Sequence, residues 1–310
     1  MTDFLLLLFH TIELRPYVFV FLLIYLLGCS LHLGLKRSLI FCVAGYGIAW
    51  LSEYSSIHDG LPYGDYFYID QTKGNEFWVC GVPLFDSMSY VFLAYASYSM
   101  ALLICAPVML LKKTLYVLET RAIRNSVFVG ILGAILFVYL DIIIDPVALR
   151  GNRWFLGQLY GYPAGGAYFG VPISNFTGWL LVGFLMISAL QRIDYSLHRA
   201  HTSDHAGYHY PWRYLIGPIL YYGVLIFNLS VTFMIGEYTL GWAGIFIVLL
   251  PTLLIYSIIA TKLSAGNTQK YLNAHLSDFP LAAITIALES DMNNQQACEN
   301  TTVADLQNKK

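Results

Sequence analysis

Carboxylates within largely apolar segments are the residues of this chain best suited to chemistry: Glu53, Asp141 and Asp145. An ionisable side chain inside a membrane segment costs about 3 kcal/mol, so it usually faces a cavity and serves a function. Asp141 and Asp145 are four residues apart and therefore share one helix face. Burial favours the protonated form of a carboxyl, so these side chains are candidates for proton transfer. The alternative is a structural role, as helix-end caps or as partners of Arg150 and Arg153.

The segments that contain these acids repeat each other. In each copy an apolar helix carries an acid, an aromatic, glycine-rich loop follows, and Gly-Val-Pro precedes a new apolar run. Glu53 and Gly81 are 28 positions apart in the first copy, and Asp141 and Gly170 are 29 apart in the second. A duplicated acidic and aromatic site beside hydrocarbon indicates chemistry or transport on a lipid-soluble molecule.

Composition places the chain in a membrane. Of its 310 residues, 57% are hydrophobic and 12% are charged, whereas soluble domains carry about 25% charged residues. An apolar run of about 20 residues can cross a bilayer as a helix. We therefore predict an all-α, polytopic membrane bundle of about seven transmembrane helices, over residues 17–35, 38–57, 86–111, 126–145, 173–192, 213–236 and 241–261.

The predicted organisation is one integral-membrane domain over residues 1–272. It contains two repeat units, over about 40–110 and 126–192, and a polar cytoplasmic tail follows over 273–310. The tail is rich in Asn, Gln and Thr, which predicts disorder beyond about 273. The five cysteines form no Cys-x-x-Cys pair, so we predict no disulfide framework.

Lysine and arginine divide unevenly between the two sides of this bundle. Thirteen of the 17 fall on one side, and the positive-inside rule assigns that side to the cytoplasm. We therefore predict a multi-pass protein of the cell (inner) membrane with its N-terminus outside and its C-terminus in the cytoplasm. The two repeats then run parallel. Their long aromatic loops, about 58–85 and 146–172, are extracytoplasmic and can cover one shared cavity.

Other polar and aromatic residues of these loops have simpler interpretations. Asp59, Asp70 and Glu76 have ordinary loop surroundings and are predicted to be solvated surface charges. The aromatic side chains suit a belt at the membrane interface as well as a binding surface.

Four histidines form the main alternative site. His198, His201, His205 and His209 are spaced three, four and four residues apart, which on a helix is one face able to bind a transition metal. The segment also contains Gly207 and lies on the predicted cytoplasmic side, away from the acids. We predict no metal site, with metal binding by these histidines as the alternative.

Several cofactor and partner classes lack their sequence signals. The chain has no glycine-rich phosphate loop, no dinucleotide fingerprint and no Gly-x-Ser-x-Gly elbow. The seventh predicted span has no central lysine for a retinal Schiff base, and no basic block indicates nucleic acid. We predict no cofactor and no nucleic-acid partner.

The most specific pattern lies within about residues 40–190. It comprises Glu53-Tyr54, Gly60-Leu61-Pro62-Tyr63-Gly64-Asp65-Tyr66-Phe67-Tyr68 and Gly81-Val82-Pro83, then Asp141, Asp145-Pro146 and Tyr168-Phe169-Gly170-Val171-Pro172-Ile173-Ser174-Asn175-Phe176-Thr177-Gly178-Trp179. These segments resemble the integral-membrane carotenoid biosynthesis protein family. Its characterised members are carotenoid 1,2-hydratases acting on γ-carotene or bisanhydrobacterioruberin. The resemblance implies a cofactor-independent hydro-lyase that adds water to the terminal C1=C2 bond of an acyclic carotenoid end group.

Such a reaction needs an acid that protonates C2, stabilisation of the tertiary cation at C1, and a positioned water. The acid is then Asp141 or Glu53, and the other carboxyl positions the water together with Asp145. The candidates for substrate binding are Asp65, Tyr66, Tyr168, Asn175 and Trp179. The implied partners are a hydrophobic polyene substrate, the lipid bilayer and other enzymes of the carotenoid pathway.

Three alternatives fit the same residues. Parallel repeats with intramembrane acids also suit a proton-coupled carrier. A non-catalytic carotenoid-binding protein would use the aromatic residues to hold pigment. An isomerase or cyclase of the end group would begin with the same protonated alkene, so residue types alone do not separate it from a hydratase.

Overall fold

The computed structural model describes residues 2–111, 113–200, 209–264 and 268–288. Most of these residues are helical, as predicted. The α-helices are α1 (Thr2–Leu14), α2 (Pro16–His32), α3 (Leu35–Asp59), α4 (Leu84–Cys105), α5 (Arg121–Arg124), α6 (Val127–Ala148), α7 (Ile173–Arg199), α8 (Ile216–Met234), α9 (Tyr238–Ser264) and α10 (Thr268–Asp278). Short strands lie between them: β1 (Phe67–Tyr68), β2 (Trp78–Val79), β3 (Val82–Pro83), β4 (Val108–Leu111), β5 (Thr114–Val117) and β6 (Tyr160–Gly161).

Five helices in the described ranges are long and apolar enough to cross a membrane: α4, α6, α7, α9, and α8 with the turn before it. Helices α1 and α2 add a sixth span if they are counted as one pair, bent by 93°. Helix α3 has the length of a span, but polar residues such as Glu53 lower its hydropathy. The chain is therefore a helical protein with five or six candidate membrane spans, and the prediction of seven is not confirmed.

Helix α4 forms the centre of the bundle. It packs against α2, α3, α6 and α8, and every residue from Tyr90 to Leu103 is buried. Helix α9 is the opposite case, because only 6% of its most apolar window is buried within the protein. An apolar helix that the protein itself leaves uncovered fits contact with lipid.

The two aromatic loops are joined to each other. Strand β1 of the first loop pairs antiparallel with β6 of the second, with Phe67 opposite Gly161 and Tyr68 opposite Tyr160. The loops therefore lie over the same end of the bundle. Their sidedness relative to the cell stays a prediction.

The two Gly-Val-Pro sequences adopt the same local structure. Gly81 and Gly170 have φ angles of 84° and 97°, which favour glycine. The valine that follows each is fully buried, and Pro83 and Pro172 are the N-cap residues of α4 and α7. This match is local, and duplication of the whole units stays a prediction.

Glu76 is buried, so its predicted exposure is wrong. Its carboxylate receives two hydrogen bonds from Arg15, at 2.6 Å from Nε and 2.9 Å from Nη2, and Arg15 is also buried. Arg15 lies at the bend between α1 and α2, so this ion pair fixes that bend to the first loop. Asp59 and Asp70 are exposed, as predicted.

Replacement of Arg15 by Met should lower the free energy of unfolding by about 3–5 kcal/mol, because the Glu76 charge would stay buried without its partner. Thermal unfolding of the detergent-solubilised protein measures this loss. The double variant Arg15→Met, Glu76→Met should recover part of it. The matched control is Lys73→Met, since Lys73 is 51% exposed in its pair with Asp70 and exposed pairs contribute about 1 kcal/mol or less. Equal effects of Arg15→Met and Lys73→Met would contradict this account.

The other end of the bundle holds a second buried charge cluster. Arg124 donates to Glu119, and His32 Nε2 lies 3.1 Å from the same carboxylate. Burial alone would raise the pKa of Glu119, but Arg124 and His32 hold it well below its usual value. Since Glu119 precedes α5, this cluster ties α2 to the segment before α6.

Residues 268–288 pack against this end. His275 Nδ1 lies 2.6 Å from the carbonyl oxygen of Glu119, and Phe279 is buried with Tyr116 and Leu118. The predicted disorder beyond about residue 273 is therefore wrong as far as 288. Apolar residues such as Phe279 and Ile284 explain the difference, since they supply a core that the tail's average composition conceals.

Candidate functional site

A cavity of about 890 Å³, including its mouth, lies between the helices and beneath the two loops. Helices α2, α3, α4, α6, α7 and α8 contribute to its wall, and both loops cover it. Glu53, Asp86, Asp141 and Asp145 all line this one space, together with tyrosines from both loops. The cavity thus combines buried acids with aromatic and aliphatic surface.

Asp141 and Asp145 form the first of two carboxyl pairs. Asn175 of α7 bridges them, donating from Nδ2 to Asp141 Oδ2 at 2.7 Å and to Asp145 Oδ2 at 3.0 Å. Asp145 also accepts from Tyr160 and, at 2.8 Å, from Tyr162. Helix α6 places the two acids one turn apart on one face, and the second loop supplies the phenols.

These two carboxyls have very different surroundings. Asp145 accepts three donors, an arrangement that stabilises a carboxylate. Asp141 is fully buried, and its Oδ1 has no hydrogen-bond partner among the residues that the structure describes. A buried carboxyl with a single donor is more stable as the neutral acid, particularly beside a carboxylate. The pair can therefore hold one charge on Asp145 and one transferable proton on Asp141.

Glu53 and Asp86 form the second pair, which a phenol bridges. The Tyr68 hydroxyl lies 2.9 Å from Glu53 Oε1 and 2.8 Å from Asp86 Oδ2. Ser87 donates to Glu53 Oε2. Glu53 comes from α3, Asp86 and Ser87 from the first turn of α4, and Tyr68 from β1, so three elements assemble this pair.

Aromatic rings form the inner wall of the cavity. Trp179 stacks on Tyr90 with their ring centroids 4.5 Å apart, and it lies 4.7 Å from the Phe137 ring. Tyr63 and Tyr66 extend this wall towards the loops. Ring faces of this kind attract a cation held nearby.

Close packing between α7 and the first loop positions part of this wall. A Cβ on Gly178 would lie 2.7 Å from the carbonyl oxygen of Pro62 and 2.6 Å from the Tyr63 ring. Only glycine permits that approach, which explains why a glycine directly precedes Trp179.

Six of the eight predicted site residues line the cavity: Glu53, Asp141, Asp145, Tyr66, Asn175 and Trp179. Asp65 is exposed on the loop and does not line it. Tyr168 lies apart as well, against Phe169 and Phe176. The arginines predicted as alternative partners of the three catalytic candidates pair with a different acid, since Arg150 and Arg153 both contact Glu237.

Several lining residues have no assigned role in the sequence prediction: Arg15, Tyr68, Asp86, Tyr90, Tyr160 and Tyr162. The antiparallel pairing of β1 with β6 orders the loop tyrosines over the acids. A sequence signal for Asp86 does exist, because it follows Gly-Val-Pro by three positions in the first copy, as Asn175 does in the second.

The histidine alternative gains no support from the described part of the chain. No group of three or more His, Cys, Asp or Glu side chains there could hold a metal ion. His198 lies in the last turn of α7 and His209 follows later, while His201 and His205 lie outside the described residues.

Comparison with known proteins identifies the family. The family model described as "Carotenoid biosynthesis protein" matches residues 5–251, a range that includes both carboxyl pairs and the aromatic wall. No curated protein matches the chain, and no solved structure does. The match spans most of the 310 residues, and the chain therefore belongs to the carotenoid biosynthesis protein family.

Proposed function

We propose that this protein is a carotenoid 1,2-hydratase, which adds water to the terminal C1=C2 bond of an acyclic carotenoid end group. The observation that carries the proposal is Asp141 Oδ1, a buried carboxyl oxygen that has no hydrogen-bond partner within the described part of the chain. Asp141 lines an aromatic cavity that also contains a second carboxyl pair. Family membership supplies the substrate class. Hydration of an alkene requires an acid, a cation-stabilising wall and a proton acceptor, and the cavity contains groups suited to each.

In the proposed reaction Asp141 is the general acid. Its O–H bond breaks, and the proton forms a new C–H bond at C2 while the C1=C2 π pair is consumed. The positive charge then lies on C1, a tertiary centre. General acids typically accelerate such steps about 100- to 10,000-fold. Asp145 stays ionised through its three donors, and its negative charge stabilises the nearby cation.

Glu53 is the proposed acceptor for the water. The water oxygen forms a C–O bond to C1, and one water O–H bond breaks as its proton passes to Glu53. Asp141 has then lost one proton and the Glu53 side has gained one. Exchange with solvent restores both, so the net reaction is addition of H₂O and no redox cofactor is consumed.

The proposed setting is the cell membrane, with a polyene entering the cavity from the lipid. The described helices that enclose the cavity include four candidate spans, α4, α6, α7 and α8. Apolar lining residues such as Phe21, Phe92 and Leu93 suit a hydrocarbon end group.

Pigment analysis tests the activity directly. The full chain is expressed in a bacterium that accumulates lycopene and γ-carotene. The pigments are separated by chromatography, and their masses are measured by mass spectrometry. A product heavier by one water, with a tertiary hydroxyl, is the expected result. A product of unchanged mass with a moved double bond or a new ring would replace hydration with isomerisation or cyclisation. The proposal would be overturned if none of the carotenoids tested is converted while the protein is present in the membrane at normal levels.

Replacement of Trp179 by Leu should lower kcat/KM about 10- to 30-fold, because a desolvated cation–π contact contributes up to about 2 kcal/mol. Trp179→Phe keeps a ring face and should lose less. The matched control is Trp242→Leu on α9, since Trp242 is 56% exposed and away from the cavity. Equal rates for Trp179→Leu and Trp179→Phe would argue against a role of the ring face.

A further inference from the structure

We propose that Asp86 is a positioning residue that works through Tyr68, taking over the proton that Glu53 accepts from water. The inference rests on the proposed function and adds a residue to it. Glu53, Tyr68 and Asp86 would then act as one acid–base unit, with Glu53 at the reacting water and Asp86 at the other end.

Hydrogen-bond counting supports a shared proton. The Tyr68 oxygen lies within 2.9 Å of both carboxyls, yet a phenol has one proton to donate. For both contacts to be hydrogen bonds, one of the carboxyls must donate to Tyr68 while the other accepts from it. The unit therefore holds one proton and one negative charge between its two carboxyls, and it titrates as a pair.

The two carboxyls differ in how well they hold that charge. Glu53 is 2% exposed, whereas Asp86 is half-buried and lies in the first turn of α4. A helix N-terminus favours a carboxylate. Arg15, the buried cation at the α1–α2 bend, lines the same cavity as Asp86 and favours a negative charge there. The charge therefore resides on Asp86 and the proton on Glu53.

Other charged and titratable groups around Asp86 are accounted for in this assignment. They come from α2, α3, α6, the α1–α2 bend and the first loop: Tyr17, Glu53, Asp145, Arg15, Glu76, Tyr66 and Tyr68. Arg15 is the one cation among them. It already pairs with Glu76, so its field favours the Asp86 charge without a direct ion pair.

The proton movement follows from this arrangement. A neutral Glu53 carboxyl can accept a proton from water only if it gives up the proton that it already carries. As the water proton arrives, the Glu53 Oε1 proton passes to the Tyr68 oxygen and the Tyr68 proton passes to Asp86 Oδ2. One O–H bond breaks and one forms at each transfer. Asp86 is left neutral, and its partial exposure allows the proton to leave to solvent.

The test is the pH dependence of kcat for purified Asp86→Asn in detergent. In the wild type the low-pH limb of activity follows protonation of the Glu53–Tyr68–Asp86 unit, whose negative charge lies on Asp86, the better-solvated acid. In Asp86→Asn it follows buried Glu53 alone, which ionises only at higher pH because burial favours the neutral acid. We expect kcat to fall about 10- to 100-fold near neutral pH, to recover as the pH rises, and KM to change little.

Two further variants and a control make the outcome decisive. Asp86→Glu retains a carboxylate and should recover part of the activity. Tyr68→Phe removes the hydroxyl that passes the proton, so it should shift the low-pH limb of the kcat profile as Asp86→Asn does. The double variant should be no worse than either single one, because both break the same relay. Asp70→Asn, at an exposed acid of the same loop, should leave the profile unchanged.

A profile in Asp86→Asn or Tyr68→Phe that keeps its wild-type shape, even at a lower rate, would overturn the relay. If Asp86→Asn does not fold, the shape of the pH profile of Tyr68→Phe is the deciding measurement. Failure of the proposed function would look different, because the wild-type chain itself would then form no hydrated carotenoid.

Discussion

Asp141→Asn should lose nearly all hydratase activity, about 100- to 10,000-fold in kcat/KM, while the protein stays folded. The amide cannot supply the proton for C2. It keeps the hydrogen bond to Asn175, because its own oxygen can accept from that side chain. No hydrogen bond is lost at the other oxygen either, since no described residue contacts Asp141 Oδ1 as a hydrogen-bond partner. Conversion of γ-carotene by the purified protein, followed by chromatography, measures the effect.

Asp65→Asn is the matched control for this loss. It makes the same chemical change at an exposed acid outside the cavity, so its activity should equal that of the wild type. Unfolding temperatures of both variants exclude a folding defect. Full activity in Asp141→Asn would remove Asp141 from the reaction. A loss of activity in Asp65→Asn would instead place Asp65 in the site, as the sequence predicts.

Sequence reasoning found the buried carboxyls because their cost in a membrane segment is independent of the fold. Glu53, Asp141 and Asp145 stand out in apolar runs, and each lines the cavity. Trp179 and Asn175 were found through the family resemblance. Helix positions followed from apolar runs, but the number of spans did not, because polar residues lower the hydropathy of α3 and the α1–α2 pair is bent by 93°.

Residues whose roles depend on long-range pairing could not be found in this way. Tyr68 and Tyr160 looked like members of an interfacial belt until the β1–β6 pairing placed them over the acids. Glu76 looked solvated because Arg15, its partner, is 61 positions away. Asp65 and Tyr168 each lie within a specific motif, yet the structure places neither on the cavity wall, so their roles in the site stay predictions.

Glu53→Gln should also lose about 100- to 10,000-fold in hydration, but it should still protonate the substrate. The amide retains an oxygen that can accept from Ser87 and presents its NH₂ to Tyr68, so the fold is expected to persist. In deuterated water, Asp141 delivers a deuteron to C2. With no acceptor for the water, the cation returns a hydron from C2 to Asp141. When that hydron is the original proton, the recovered alkene carries deuterium.

Mass spectrometry of recovered substrate therefore separates the two carboxyl roles. Glu53→Gln should give labelled alkene with little alcohol, whereas Asp141→Asn should give neither label nor alcohol. The double variant should behave as Asp141→Asn does, because the acid acts first. The reverse pattern, with label only in Asp141→Asn, would make Glu53 the acid and Asp141 the acceptor. The unpartnered Oδ1 of Asp141 would then be the atom that receives the water proton, and the charge carried by Asp145 would have to tolerate a second carboxylate one helical turn away.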